Sequence, residues 1–261
     1  MKYTVSFLGL GLLLGSAYAD DCKYSRDVER TLALDNASVL EVDARSGFLV
    51  IKGESGRSDV LIEAEVCASD KDMLDEMEVV SRTRSNASFI KTKIPQFSGR
   101  FFGNNYARIN LTLTVPDWIE LDVSDSSGEA SIRNVAKLSM SDSSGELKIT
   151  GITGDVKVKD SSGDMSLEEI DGMVEVNDSS GDIYASDLKQ GLIVIADSSG
   201  DIEAQRVGYD VIIERDSSGS IDVEDVGGDF IVKKDSSGGI HYDDVQGDVE
   251  LPRNKRDKWL K

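Results

Sequence analysis

The chain runs to 261 residues, with 49 acidic against 29 basic side chains and a formal net charge of −20. That balance excludes a surface that tracks a nucleic-acid backbone, because no basic stripe exists outside the C-terminal tail; it favours solubility and repulsion from anionic surfaces. Two cysteines and a single histidine, far apart in the chain, exclude a zinc centre.

Residues 1–19 read as a secretory signal peptide. Lys2 precedes an apolar run from Val5 to Leu14, and Ala17-Tyr18-Ala19 forms the cleavage site. The run is too short to span a bilayer, and no other stretch is long and apolar enough, so no transmembrane segment is expected after cleavage. Asp20 and Asp21 precede Cys22, where a lipidated cysteine would want small or apolar residues. The expected location is therefore periplasmic, or secreted to the cell surface. In an oxidising compartment Cys22 and Cys67 are expected to form one disulfide, tying the N-terminus to the strand around Val66; two free thiols are the alternative.

Residues 20–118 carry strand signals without a regular repeat and are expected to form divergent N-terminal coils and a cap. Val39, Leu40 and Val42 lead into Ser46-Gly47, then Leu49 and Ile51; Val60, Ile62, Ala64 and Val66 alternate cleanly. Met73, Met77 and Val80 at helical spacing predict a short helix or looped insertion over 70–81. The stretch from Gln96 to Tyr106 is rich in Gly, Asn and aromatics (Phe97, Phe101, Phe102, Tyr106) and reads as an end cap, with a binding loop as the alternative. Ile109, Leu111, Leu113 and Val115 form a strand ending at Pro116.

Residues 119–251 are organised by one tetrapeptide. Asp-Ser-Ser-Gly starts at Asp125, Asp142, Asp160, Asp178, Asp197, Asp216 and Asp235, at intervals of 17, 18, 18, 19, 19 and 19 residues. Such a period is the mark of stacked coils. Between the corners, apolar residues recur in fixed columns. The third repeat has Met165, Leu167, Ile170, Val174 and Val176; the fifth has Ile202, Ala204, Val207, Val211 and Ile213; the sixth has Ile221, Val223, Val226, Phe230 and Val232. Spacing of two within each pair is that of strand side chains on one face. Each repeat therefore holds two short half-buried strands and a lone inward residue, with Gly-Asp at the corners. Corners this frequent would cut any helix, and propeller blades need about 40 residues each. The predicted fold is all-β: a β-solenoid of about seven regular coils of 17–19 residues plus the divergent N-terminal ones. The tail, 252–261, changes sign with Arg253, Lys255, Arg256, Lys258 and Lys261. It is read as a basic C-terminal cap that blocks edge pairing, with membrane docking as the alternative.

From Leu113-Thr114-Val115-Pro116-Asp117 into the first Asp-Ser-Ser-Gly, the chain resembles the bacterial putative-adhesin domain family of unknown function, itself related to the head domains of putative autotransporter adhesins. The resemblance rests on Ser180-Gly181-Asp182-Ile183, Ser199-Gly200-Asp201-Ile202, Gly154-Asp155-Val156 and Gly247-Asp248-Val249, and covers about residues 37–251. It implies a β-helix-like fold in an exported bacterial protein and implies no enzyme activity.

Stacked in register, the seven aspartates line one corner, with Glu129, Glu146, Asp164, Asp182 and Asp201 beside them. Repulsion between them is offset either by backbone N–H bonds within each turn, with serine hydroxyls linking coils, or by calcium held between coils, for which Asp160, Asp178, Asp197 and Asp216 are the candidate ligands. No other cofactor is implied. Acidic pairs are too common here to single out catalytic carboxylates, His241 falls at an outward position, and no phosphate loop, zinc motif or nucleophile elbow is present. The functional expectation is a non-enzymatic, adhesin-like binding module of the bacterial envelope whose partner is an envelope protein or glycan and not a nucleic acid. The alternatives are an envelope scaffold without a small ligand and a polysaccharide-active β-helix enzyme.

Overall fold

The computed structural model describes residues 22–95 and 105–253. Residues 1–21, which include the expected signal peptide, the aromatics Phe97, Phe101 and Phe102, and the tail beyond Arg253 lie outside the described residues.

The solenoid is two 11-stranded sheets facing one another across an apolar core. Each regular rung contributes one strand to each sheet. In the rung led by Asp160, Met165–Ile170 joins the first sheet and Val174–Asn177 the second. Parallel pairing puts like residues in file: Met165 faces Ile183, Leu167 faces Ala185 and Ile170 faces Leu188. The five inward positions of that repeat are 0–2 % exposed. Period-two alternation builds this wall, because every second side chain must point to the shared interior.

Three corners close each rung. At the first, Asp-Ser-Ser-Gly turns the chain from the second sheet to the first. At the second, the last turn of the first-sheet strand passes through the left-handed region: Asn134, Glu169, Asp187, Arg206, Asp225 and Asp244 have φ of +49 to +57°, and Gly151 has +71°. This bend aims the lone residue that follows (Ile152, Ile170, Leu188, Val207) into the core. At the third, the Gly-Asp words anchor the next rung. The Asp155 carboxylate accepts the Met173 N–H at 3.1 Å, and the Asp210 and Asp229 carboxylates accept the N–H groups of Asp229 and Asp248 at 2.8 Å. The lengthening of the repeat to 19 residues has a local cause: the register between Val174–Asn177 and Leu192–Ala196 shifts at Asn177, which pairs with Ala196, so the extra residue is absorbed as a bulge just before the corner.

The N-terminal region departs from chain order. The strands are β1 (Tyr24–Ala33), β2 (Val39–Asp43), β3 (Leu49–Glu54), β4 (Asp59–Ala68), β5 (Glu78–Arg84), β6 (Ala87–Lys93), β7 (Ala107–Pro116), β8 (Glu120–Ser124) and β9 (Ala130–Arg133). The expected coil at 39–53 exists as β2 and β3, and it stacks directly on β8 and β9. Its corner, Ala44-Arg45-Ser46-Gly47, is a degenerate eighth copy of the motif with Ala44 in place of the aspartate and Arg45 in place of the first serine, and Ser46 bridges to Ser127. The later strands β6 and β7 lie outside it, so β2–β3 is wedged between β6–β7 and β8–β9. Antiparallel β4 then β1 finish one sheet, and antiparallel β5 finishes the other. The predicted helix is α1 (Lys71–Glu76), capped by the Asp70 carboxylate, which accepts the N–H groups of Asp72 and Met73. It stops short of Val80, because Met77 is extended and Met77 and Val79 already follow strand spacing into the core.

Candidate functional site

The Asp-Ser-Ser-Gly corner is built from four repeated contacts. The aspartate N–H donates to the carbonyl preceding the next rung's aspartate, at 2.8 Å from Asp178 to Ala196 and 2.9 Å from Asp197 to Arg215. The carboxylate Oδ1 accepts the first serine's N–H, at 2.7 Å in Asp125, Asp160 and Asp178. The second serine's hydroxyl donates to the first serine's carbonyl in the preceding rung, from Ser162 to Ser143 at 3.2 Å and from Ser180 to Ser161 at 3.3 Å. The glycine N–H donates onward, from Gly163 to Ser180 at 3.0 Å. The flanking acidic file is also wired between rungs, since the Asp164 and Asp182 carboxylates accept the N–H groups of Asp182 and Asp201.

The candidate calcium ligands lie inside this wall. Asp160, Asp178, Asp197 and Asp216 are 2, 2, 0 and 1 % exposed. Among the described residues no group of three or more His, Cys, Asp or Glu side chains converges as metal donors. Burial lifts the carboxyls of Asp125, Asp160 and Asp197 to about 6 and moves Asp142 and Asp178 in the same direction; the serine N–H bonds oppose this, and neighbouring carboxylates of the file add to the lift at Asp125, Asp160 and Asp197.

The left-handed corner opens a shallow trough of about 720 Å³ over five rungs. Two of its four acids are paired: the Arg206 guanidinium grips Asp187 with two 2.8 Å bonds, and Lys189 meets Asp171 at 2.8 Å, while Glu169 and Asp225 also line it. The Arg206 pair holds the Asp187 carboxyl below the usual carboxylate range. His241 is exposed in the last first-sheet strand, in register with Asp222.

A feature that sequence reasoning missed lies on the outside of the second sheet. In the outward file Lys157, Glu175, Ile193, Ile212, Ile231, three consecutive rungs present isoleucine to water. Ile195 (40 % exposed) and Tyr209 (64 % exposed) extend the patch, and Met173 lines its edge. Exposed Arg215 and Lys234 flank it, with Lys233 bonded to Glu214. A signal was present: Leu192-Ile193-Val194-Ile195 and Val211-Ile212-Ile213 are apolar in both phases, where a wall strand needs only one. At the opposite end of the molecule, Cys22 and Cys67 are joined through their sulfurs, with Cα atoms 5.7 Å apart.

No curated protein matches the chain. Among solved structures, a "putative adhesin" from Bacteroides fragilis NCTC 9343 is 16 % identical over 84 % of this chain and 97 % of its own, with a TM-score of 0.44. One from Parabacteroides merdae ATCC 43184 is 14 % identical over 84 % and 96 %, with a TM-score of 0.44. A "putative lipid binding protein" from Parabacteroides distasonis ATCC 8503 is 13 % identical over 86 % and 97 %, with a TM-score of 0.32. The Toastrack DUF4097 family model matches residues 62–259, most of the chain including every regular rung, and the protein belongs to that family.

Proposed function

We propose that the protein is an exported, non-enzymatic binding module of the bacterial envelope, and that the isoleucine face of the second sheet is its contact surface. The observation that carries this is the outward file of partly exposed Ile193, Ile212 and Ile231, with exposed Ile195 and Tyr209, beside Arg215 and Lys234 in a chain that is otherwise strongly acidic. Contiguous exposed apolar surface marks interaction sites, and a scaffold without a ligand has no use for one here. The occupant that fits is an envelope protein with an apolar contact patch and an acidic rim. Aliphatic side chains suit a protein better than a glycan, which would stack on aromatic rings. Pairing of Asp171 and Asp187 in the trough with Lys189 and Arg206 supports the non-enzymatic reading over the polysaccharide-active one.

Ile212→Glu changes a half-exposed position and should leave the melting temperature within about 2 °C of the native value. Capture of an acidic envelope protein by the native chain should fall at least about tenfold in this variant. Glycan-array binding that Ile212→Glu leaves intact would overturn the proposal, and so would self-association of the native chain, lost in the variant, as the sole interaction.

Export is supported by the signal-like residues 1–19 and by the paired cysteines. We further propose that the Cys22–Cys67 bond forms in the oxidising compartment and holds β1 against β4. Closing a loop of 45 residues restricts the unfolded chain, so Cys22→Ser should cost about 2–4 kcal/mol in urea unfolding under oxidising conditions. An equal loss in the native protein after reduction would identify the bond as the cause.

A further inference from the structure

Asp125, Asp142, Asp160, Asp178 and Asp197, five of the seven corner aspartates buried in the wall, are 0–5 % exposed. In each, serine N–H groups hold Oδ1, while Oδ2 is buried with no hydrogen-bond partner. The rungs stack about 4.8 Å apart, so the five form a continuous file, which stops at buried Ala44 in the preceding rung.

The surroundings offer these oxygens no counter-charge. Along the chain each aspartate follows an inward apolar residue, as Asp160 follows Val158, and the next inward residue beyond the turn is Met165. Lys159 and Arg215, which precede Asp160 and Asp216, are exposed on the outer face. The flanking acids Glu129, Glu146, Asp164, Asp182 and Asp201 are also exposed, and they carry the same sign. Among the described residues no ion pair reaches any of the five. A buried anion without a partner is strongly disfavoured, and like charges one rung apart repel.

We propose that this file is a proton-binding spine: in mildly acidic surroundings the orphaned oxygens take up protons from solvent and the solenoid tightens, and at neutral pH it loosens as they leave. Protonation removes the buried negative charge and, with it, the repulsion from the carboxyl one rung away. The direction follows from the pKa order. These carboxyls titrate higher folded than unfolded, so between about pH 4 and pH 6 the folded chain binds more protons. The stabilisation is complete below the unfolded pKa and is lost as pH rises through the folded one.

Thermal unfolding of the full chain tests this. Between about pH 7.5 and pH 5 the native melting temperature should rise by on the order of 5 °C. The double variant Asp160→Asn, Asp178→Asn should show less than half that rise and should melt above the native chain at neutral pH, because the amide supplies a donor without a charge. An equal rise in both chains overturns the proposal. Calcium chloride that raises the native midpoint at neutral pH but not the variant's also overturns it, in favour of a cation on the same oxygens. Should the variant fail to fold, aspartate carboxyl ¹³C titration of the unmodified chain decides: buried midpoints above about 5 are expected, and midpoints all near 4 overturn it.

Discussion

Gly200→Ala is expected to cost more than about 4 kcal/mol, or to abolish folding, whereas Gly56→Ala should cost about 1 kcal/mol. Both glycines have positive φ, but their surroundings differ. Gly200 sits at φ +138°, and a Cβ added there would lie 1.9 Å from the Gly181 carbonyl oxygen of the rung beneath. That neighbour is backbone, itself held in the inter-rung ladder, so it cannot move aside. The contact repeats along the whole corner: at Gly145, Gly163, Gly219 and Gly238 the same added atom would come within 1.7–1.8 Å of the preceding glycine's oxygen. At Gly56, φ is +78° and no atom lies within 4 Å of the added carbon, which leaves conformational strain alone. Urea midpoints of the two variants test the difference. Similar losses would mean that the corners are not in contact as described.

Phe230→Ala should cost about 3–5 kcal/mol. Phe230 is fully buried, stands in file between Val211 and Val249, and packs its ring 5.9 Å from that of Tyr242. Removing it leaves a cavity near the C-terminal end of the column, where among the described residues only one short strand of the second sheet, Val249–Glu250, lies beyond. Contacts in a stacked column are between neighbours, so the loss should be local. Amide exchange should accelerate from Val211 onward, while the strand Val156–Lys159 keeps its protection. Uniform loss of protection along the column would refute the nearest-neighbour picture.

The rungs were legible because the corner is chemically repetitive and the wall strands alternate. The inward columns of the third, fifth and sixth repeats could be read residue by residue. Burial of the aspartates could have been read too, since Val156, Val158, Asp160 and Val174, Val176, Asp178 keep a spacing of two straight into the acid, placing it on the inward phase. The residue type, which signals a turn, outweighed that phase. The left-handed column was legible only in part: Asn134, Gly151, Asp187, Asp225 and Asp244 are of types that tolerate it, whereas Glu169 and Arg206 share a backbone conformation that their side chains do not announce. Nor was the order of the first rungs, because alternation reports which face a strand buries and says nothing of its neighbours. The isoleucine file was hidden by the reverse problem, since apolar residues in both phases look like extra core.

The wedging of β2–β3 between later segments sets a schedule for manufacture. A chain made from its N-terminus delivers residues 39–54 before either flanking layer exists; one side is covered only when β7 is complete at Pro116 and the other when β9 is complete at Arg133. Growth by simple addition from the leading end is therefore ruled out. The early ribbon waits for partners made after it, and is clamped from both sides only once the second of them has formed.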